Sequence, residues 1–138
     1  MPTMRIFFAN GRGDSDADVE RAVARVRDAL MSQFGADVEV TSGKDDYKAN
    51  FSRCGSWDAW IRDVAVGIRF ADRTPRYHAL MCPTREVGKA TARIVELALG
   101  ASKPVLLWEG GQARSVISVR AVDAENWKAG YTLEVGGP

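Results

Sequence analysis

The chain has 138 residues, of which 46% are apolar and 27% charged, and its 19 basic and 18 acidic residues leave a formal charge of +1. This length suits one α/β domain spanning residues 1–138, with enough core to fold without disulfides or metals. The near-neutral balance argues against a dedicated nucleic-acid surface. Two isolated cysteines and a single histidine give no metal-ligand spacing. No apolar run is long enough to span a bilayer, and the N-terminal MPTMRIFFANGRGD lacks the apolar stretch of a signal peptide. The expectation is a cytoplasmic protein with reduced thiols, no cofactor and no membrane partner.

Met4 to Ala9 is a short continuous apolar run, the pattern of a buried strand. The Asn10 to Asp16 segment that follows is loop chemistry. Ser15 and Asp18 fit a capping box, and Val19, Ala22, Val23, Val26, Ala29 and Leu30 recur at spacings of three and four, predicting a helix that Gly35 ends. Val38 to Val40 reads as a second strand. Ser42 to Gly55 is polar and reads as a long irregular loop. Ser56 caps a second helix with an apolar stripe of Trp57, Trp60, Ile61, Val64 and Ile68, followed by a break over Ala71 to Arg76.

Tyr77 to Met81 reads as a third strand, Val87 to Leu99 as a third helix and Pro104 to Trp108 as a fourth strand, the signature of a βαβ unit. In the third helix Val87, Thr91, Ile94, Val95 and Ala98 are expected to face the core. Glu109 to Gln112 is a turn and Ser115 to Val119 a fifth strand. Asp123 to Trp127 suggests one helical turn, and Tyr131 to Val135 an additional C-terminal edge strand. The order predicts a Rossmann-like (flavodoxin-like) three-layer sandwich with a mainly parallel five-stranded sheet in the order 2-1-3-4-5.

In such a sheet, ligands sit beyond the carboxyl ends of the strands at the switch point. That places a site over Asn10, Gly11, Arg12, Gly13 and Asp14 on one side and Thr84, Arg85, Glu86 and Gly88 on the other. Glycines allow close backbone approach, and an arginine before a helix start suits a phosphate or carboxylate. Glu86 has the chemistry of a base or nucleophile, or of a carboxylate complementing the helix dipole. Asp58, at the start of the second helix, suits sugar hydroxyls, with a neighbouring tryptophan to stack on a base. Cys82 has no base partner, His78 reads as a core or sheet-face residue, and Lys89, Arg93 and Glu96 read as a solvated helix face.

The first turn IFFANGRGDSD, the segment VGKATARIVELALGASKPVLLW and the strand order, together covering Arg5 to about Trp108, resemble the nucleoside 2-deoxyribosyltransferase-like superfamily, which includes deoxynucleoside 5′-monophosphate N-glycosidases. The resemblance implies a small nucleoside or nucleotide ligand, chemistry at an N-glycosidic bond and oligomers with shared sites. In the family a nucleophilic glutamate lies on the helix. Alignment on Lys103-Pro104 puts that place at Arg93 or Ile94, so catalysis would fall to Glu86 with Asp58 binding the sugar. Without that chemistry, the same cleft would serve a non-catalytic nucleotide-binding protein.

Overall fold

The structure, a computed structural model, describes residues 3–11, 14–35, 37–122 and 130–136. In chain order the elements are β1 (Met4–Phe8), α1 (Asp16–Phe34), β2 (Val38–Ser42), α2 (Gly43–Cys54), α3 (Trp57–Val66), β3 (Ala79–Cys82), β4 (Glu86–Val87), α4 (Lys89–Gly100), β5 (Val105–Glu109), β6 (Gln112–Ala121) and β7 (Tyr131–Val135). They build an α/β fold around a mixed seven-stranded sheet ordered β2-β1-β3-β5-β6-β7-β4. The core β2-β1-β3-β5 is parallel, and β6, β7 and β4 continue it antiparallel. The first five positions reproduce the expected 2-1-3-4-5 order.

Strand alternation divides the core between the two faces of the sheet. Ile6, Phe8, Ala79 and Met81 pack with Val26 and Leu30 of α1. Phe7, Leu80, Cys82, Val105 and Leu107 pack with Trp60, Ile61 and Val64 of α3 and Ile94, Val95 and Ala98 of α4. Both faces of the parallel strands are thus covered, which explains why these strands read as unbroken apolar runs.

The expected caps are formed. Ser15 Oγ accepts from the Asp18 amide and Ser56 Oγ from the Ala59 amide, each at 3.2 Å, and Gly35 ends α1 at φ 61°. The turn after β5 is a two-residue hairpin in which Gly110 and Gly111 take φ of 63° and 77°. Positive φ at both central residues matches the right-handed twist of the strands, and glycine adopts it without a Cβ clash.

Five expectations need correction. Residues 42–55 are not an irregular loop but helix α2: Ser42 Oγ accepts from the Asp45 amide at 3.2 Å, and Gly55 closes the helix at φ 86°. The helix shows little apolar periodicity because Asp46 is its one fully buried residue and its other inward contacts are aromatic, Tyr47 and Phe51 against Trp57. Val87 does not start the third helix; it pairs with Tyr131 in β4, and α4 begins at Lys89. This pairing also moves β7 off the sheet edge, because β4 lies outside it. Tyr77 and His78 precede β3 rather than opening it. Ile68 lies beyond the end of α3 and is exposed, so it does not extend the helix stripe. The helical turn expected at Asp123 to Trp127 falls outside the described residues.

Candidate functional site

At the carboxyl end of β1 the nominated residues are bonded to their surroundings. Asn10 Oδ1 accepts from the Lys44 amide at 3.0 Å, and Gly11 donates its amide to Asp14 Oδ2 at 3.0 Å. Lys44 Nζ donates to Asp14 O at 2.7 Å and to Asp16 Oδ1 at 3.0 Å, so the loop is tied to the start of α2. The hydrogen bond from Lys44 and its charge hold the Asp16 carboxyl below the usual range. Gly43 fits here because a Cβ would stand 3.1 Å from Asn10 Oδ1. Arg12 and Gly13 lie outside the described residues.

After β3, the Thr84 hydroxyl donates to Glu86 O at 2.9 Å. Arg85 grips Glu109 with both arms of its guanidinium, at 2.8 and 3.0 Å, and Arg114 adds a third bond to the same carboxylate at 3.2 Å. Together they hold the Glu109 carboxyl below its usual range, Arg85 contributing most. Glu86 is exposed on β4 opposite Thr132, and Gly88 is the exposed N-cap of α4. Arg85 is therefore occupied by a partner within the chain.

A cleft of about 470 Å³ opens between α3 and α4, lined by Trp57, Asp58 and Ile61, by Lys89, Ala90, Ala92, Arg93 and Glu96, and by Tyr131 of β7. Of the nominated residues that the structure describes, Asp58 alone lines it; Glu86 and the described residues of the first loop do not. The Trp57 ring is 45% exposed and is backed by Tyr47 at 5.3 Å between centroids. Arg93 and Glu96 form an i,i+3 pair at 3.7 Å.

The helix bordering this cleft starts differently from the others. Each of α1, α2 and α3 has a serine cap and acidic residues in its first turn. By contrast α4 has Gly88 as N-cap, no side-chain cap bond and no acid in its first turn, and Lys89 stands at its first position. A cation at the positive end of a helix is electrostatically unfavourable, and uncapped first-turn amides are free donors. Both features are relieved by an anion.

The residues missed in the site are Lys89, Arg93, Glu96 and Tyr131, whereas Trp57, beside Asp58, is the tryptophan expected to stack on a base. The i, i+4, i+7 spacing of Lys89, Arg93 and Glu96 placed them on one face, but nothing local showed that α3 and β7 close over it.

A second cleft of about 330 Å³ is lined by Arg5, Thr41, Asn50, Arg76 and Tyr77, among others, around the buried carboxylate of Asp46. That carboxylate accepts from Trp60 Nε1 at 2.9 Å, from Arg76 and from the Tyr77 hydroxyl, while Arg76 also pairs with Asp63. Burial, then the bond to Asp46, pushes the Tyr77 hydroxyl well above its ordinary range. With both oxygens engaged, Asp46 holds α2, α3 and the approach to β3 together.

Cys82 is sealed in the core, where burial pushes its thiol up to about 12. A thiolate nucleophile there would have to overcome that desolvation. The His78 ring accepts the Arg5 amide on Nδ1 at 2.9 Å, a structural bond at the start of the β1–β3 ladder. No helix among the described residues is long and apolar enough to cross a membrane. Comparison with family models, curated proteins and solved structures gives no match.

Proposed function

We propose that this protein binds a nucleotide or nucleotide-derived small molecule in the cleft between α3 and α4 and acts as a non-catalytic binding module. The observation that carries this reading is the cleft lining itself, which brings together the aromatic residues Trp57 and Tyr131 and the cations Lys89 and Arg93. An aromatic face stacks on a base, and the cations with the open amides of α4 take a phosphate. In this reading Asp58, which lines the same cleft, accepts from sugar hydroxyls. Calorimetry and thermal shift against nucleosides and their mono-, di- and triphosphates test it. A ligand at a hundred times its Kd adds about 2.7 kcal/mol of stability. No shift with any of these compounds rejects the proposal.

One observation favours a second reading, cleavage or transfer at the N-glycosidic bond. Two carboxylates, Asp58 and Glu96, line the same cleft, and a carboxylate is the group that such chemistry needs as nucleophile or base. In that reading Glu96 takes the role the sequence assigned to Glu86. Chromatographic detection of base released from nucleosides and nucleoside monophosphates decides it. Activity lost in Glu96→Gln and kept in Glu86→Gln supports this version, and no release from any substrate ends it.

A further inference from the structure

The segment joining α3 to β3 is more ordered and more apolar at its surface than a connection requires. Ile68 bridges Pro75, Arg69 donates its amide to Thr74 O at 2.8 Å, Arg73 to Arg69 O at 2.9 Å and Arg76 to Gly67 O at 2.9 Å. Asp72 braces the turn by accepting from the Thr74 amide at 3.1 Å and its hydroxyl at 2.6 Å. Arg5 clamps the base, donating to Arg76 O at 3.0 Å and to Pro75 O at 2.5 Å. The result is a short, internally bonded β-arch.

The tip of this arch is Phe70, 89% exposed, with Ile68 at 49% and Val66 at 43% on its approach from α3. Arg69 and Arg73 on the arch are exposed, and so is Arg62, one helical turn before Val66. Asp72, the sole acid between residues 64 and 76, pairs with Arg69 at 3.9 Å, and Asp63 at the base is taken by Arg53 and Arg76, which leaves Arg62 and Arg73 as exposed cations with no acidic partner among the described residues. A chain whose charges nearly cancel thus shows a locally cationic apolar tip. An exposed apolar group rimmed by charge marks an interaction site.

We infer that this arch is a peripheral contact for an anionic lipid surface. Phe70 and Ile68 enter the headgroup layer while Arg62 and Arg73 meet lipid phosphates. A convex tip needs no preformed pocket in a bilayer interface, and the anionic headgroups balance the arginines. A second copy meeting through the same tip would set arginine against arginine. The contact lies on the surface rather than across the membrane, and it does not depend on the α3–α4 cleft.

Co-sedimentation with vesicles of phosphatidylcholine, with and without phosphatidylserine, tests the inference. Binding is expected only with phosphatidylserine and is expected to weaken as salt rises. Phe70→Ser should lower partitioning about tenfold, by the transfer cost of the ring, and the pair Arg62→Glu with Arg73→Glu should abolish it. The melting temperature should stay unchanged in both variants, because the side chains are exposed. Absence of binding to phosphatidylserine vesicles, or binding undiminished in either variant, overturns the inference. A dimer in sedimentation velocity that Phe70→Ser dissolves, without vesicle binding, overturns it in favour of a second copy.

Discussion

The buried carboxylate of Asp46 accepts a hydrogen bond from Trp60 Nε1 at 2.9 Å, joining α2 to α3 across the interior. Arg76 and Tyr77 complete the set on the other oxygen, so one side chain ties two helices to the segment entering β3. Removing Asp46 takes the acceptor from the buried Trp60 Nε1 and Tyr77 hydroxyl and leaves Arg76 with Asp63 alone. Asp46→Ala is expected to cost about 3 to 5 kcal/mol in urea unfolding, whereas Asp45→Ala, on the same helix but not fully buried, should cost no more than about 1 kcal/mol. Equal losses in the two variants would show that Asp46 is not the tie described here.

Gly67 lies against the same network. A Cβ at this position would stand 2.3 Å from Asp63 O and 2.5 Å from Asp63 Oδ1. Gly67→Ala must therefore displace the Asp63 carbonyl, which accepts the Gly67 amide, together with the carboxylate that Arg53 and Arg76 share. The expected cost is about 1 to 3 kcal/mol, read as a lower midpoint of chemical unfolding, although alanine normally favours an ordered backbone. Gly100→Ala, where nothing stands within 4 Å, serves as the control and should not destabilise.

Stability should fall on mild acidification. Burial, followed by the charges of Arg5 and Lys103, lowers the His78 pKa below 6.5. Between that lowered value and 6.5 the unfolded chain binds a proton that the native chain does not, so unfolding becomes easier as pH falls through this window and levels off below it. Unfolding midpoints measured from neutral pH to pH 5 should show the slope, and His78→Asn should remove it. A slope of the same size in that variant would assign the effect to other groups.

Thiol reactivity should separate the two cysteines. Cys82 is fully buried with its thiol pushed up to about 12, while Cys54 is half-buried at the end of α2 and raised more modestly, by burial and then by Asp63. A disulfide reagent near pH 8 should modify Cys54 slowly and leave Cys82 untouched until the protein unfolds. Mass spectrometry of peptides from native protein tells the two apart, and early labelling at Cys82 would contradict the packing of β3.

In the cleft, Arg93→Glu and Trp57→Ala should each weaken nucleotide binding about tenfold or more, the scale of a lost charge-assisted bond or aromatic contact. Glu86→Gln should leave affinity unchanged, because Glu86 is exposed on β4 and does not line the cleft. Calorimetry with a nucleoside monophosphate gives all three values. Affinity that depends on Glu86 and not on Arg93 would move the site back to the loop after β3.

The sequence by itself determined the elements whose signals are local. Caps at Ser15 and Ser56, the Gly110-Gly111 turn and the unbroken apolar strands were all legible, because each depends on backbone chemistry or periodicity within a few residues. Crossover handedness left few strand orders, and the 2-1-3-4-5 order chosen among them is the one the first five positions of the sheet take. Only the tertiary structure decided the rest. Helix α2 is held by a buried aspartate and by aromatic contacts to α3, partners that give no period of 3.6. Val87 became a strand residue because Tyr131, distant in sequence, offered a hydrogen-bonding edge. The cleft exists because α3, α4 and β7 meet there, which turns a face that reads as solvated into one shared by Trp57, Lys89, Arg93 and Tyr131. Local chemistry is written along the chain, whereas a cleft is a property of surfaces that meet only after the chain has folded.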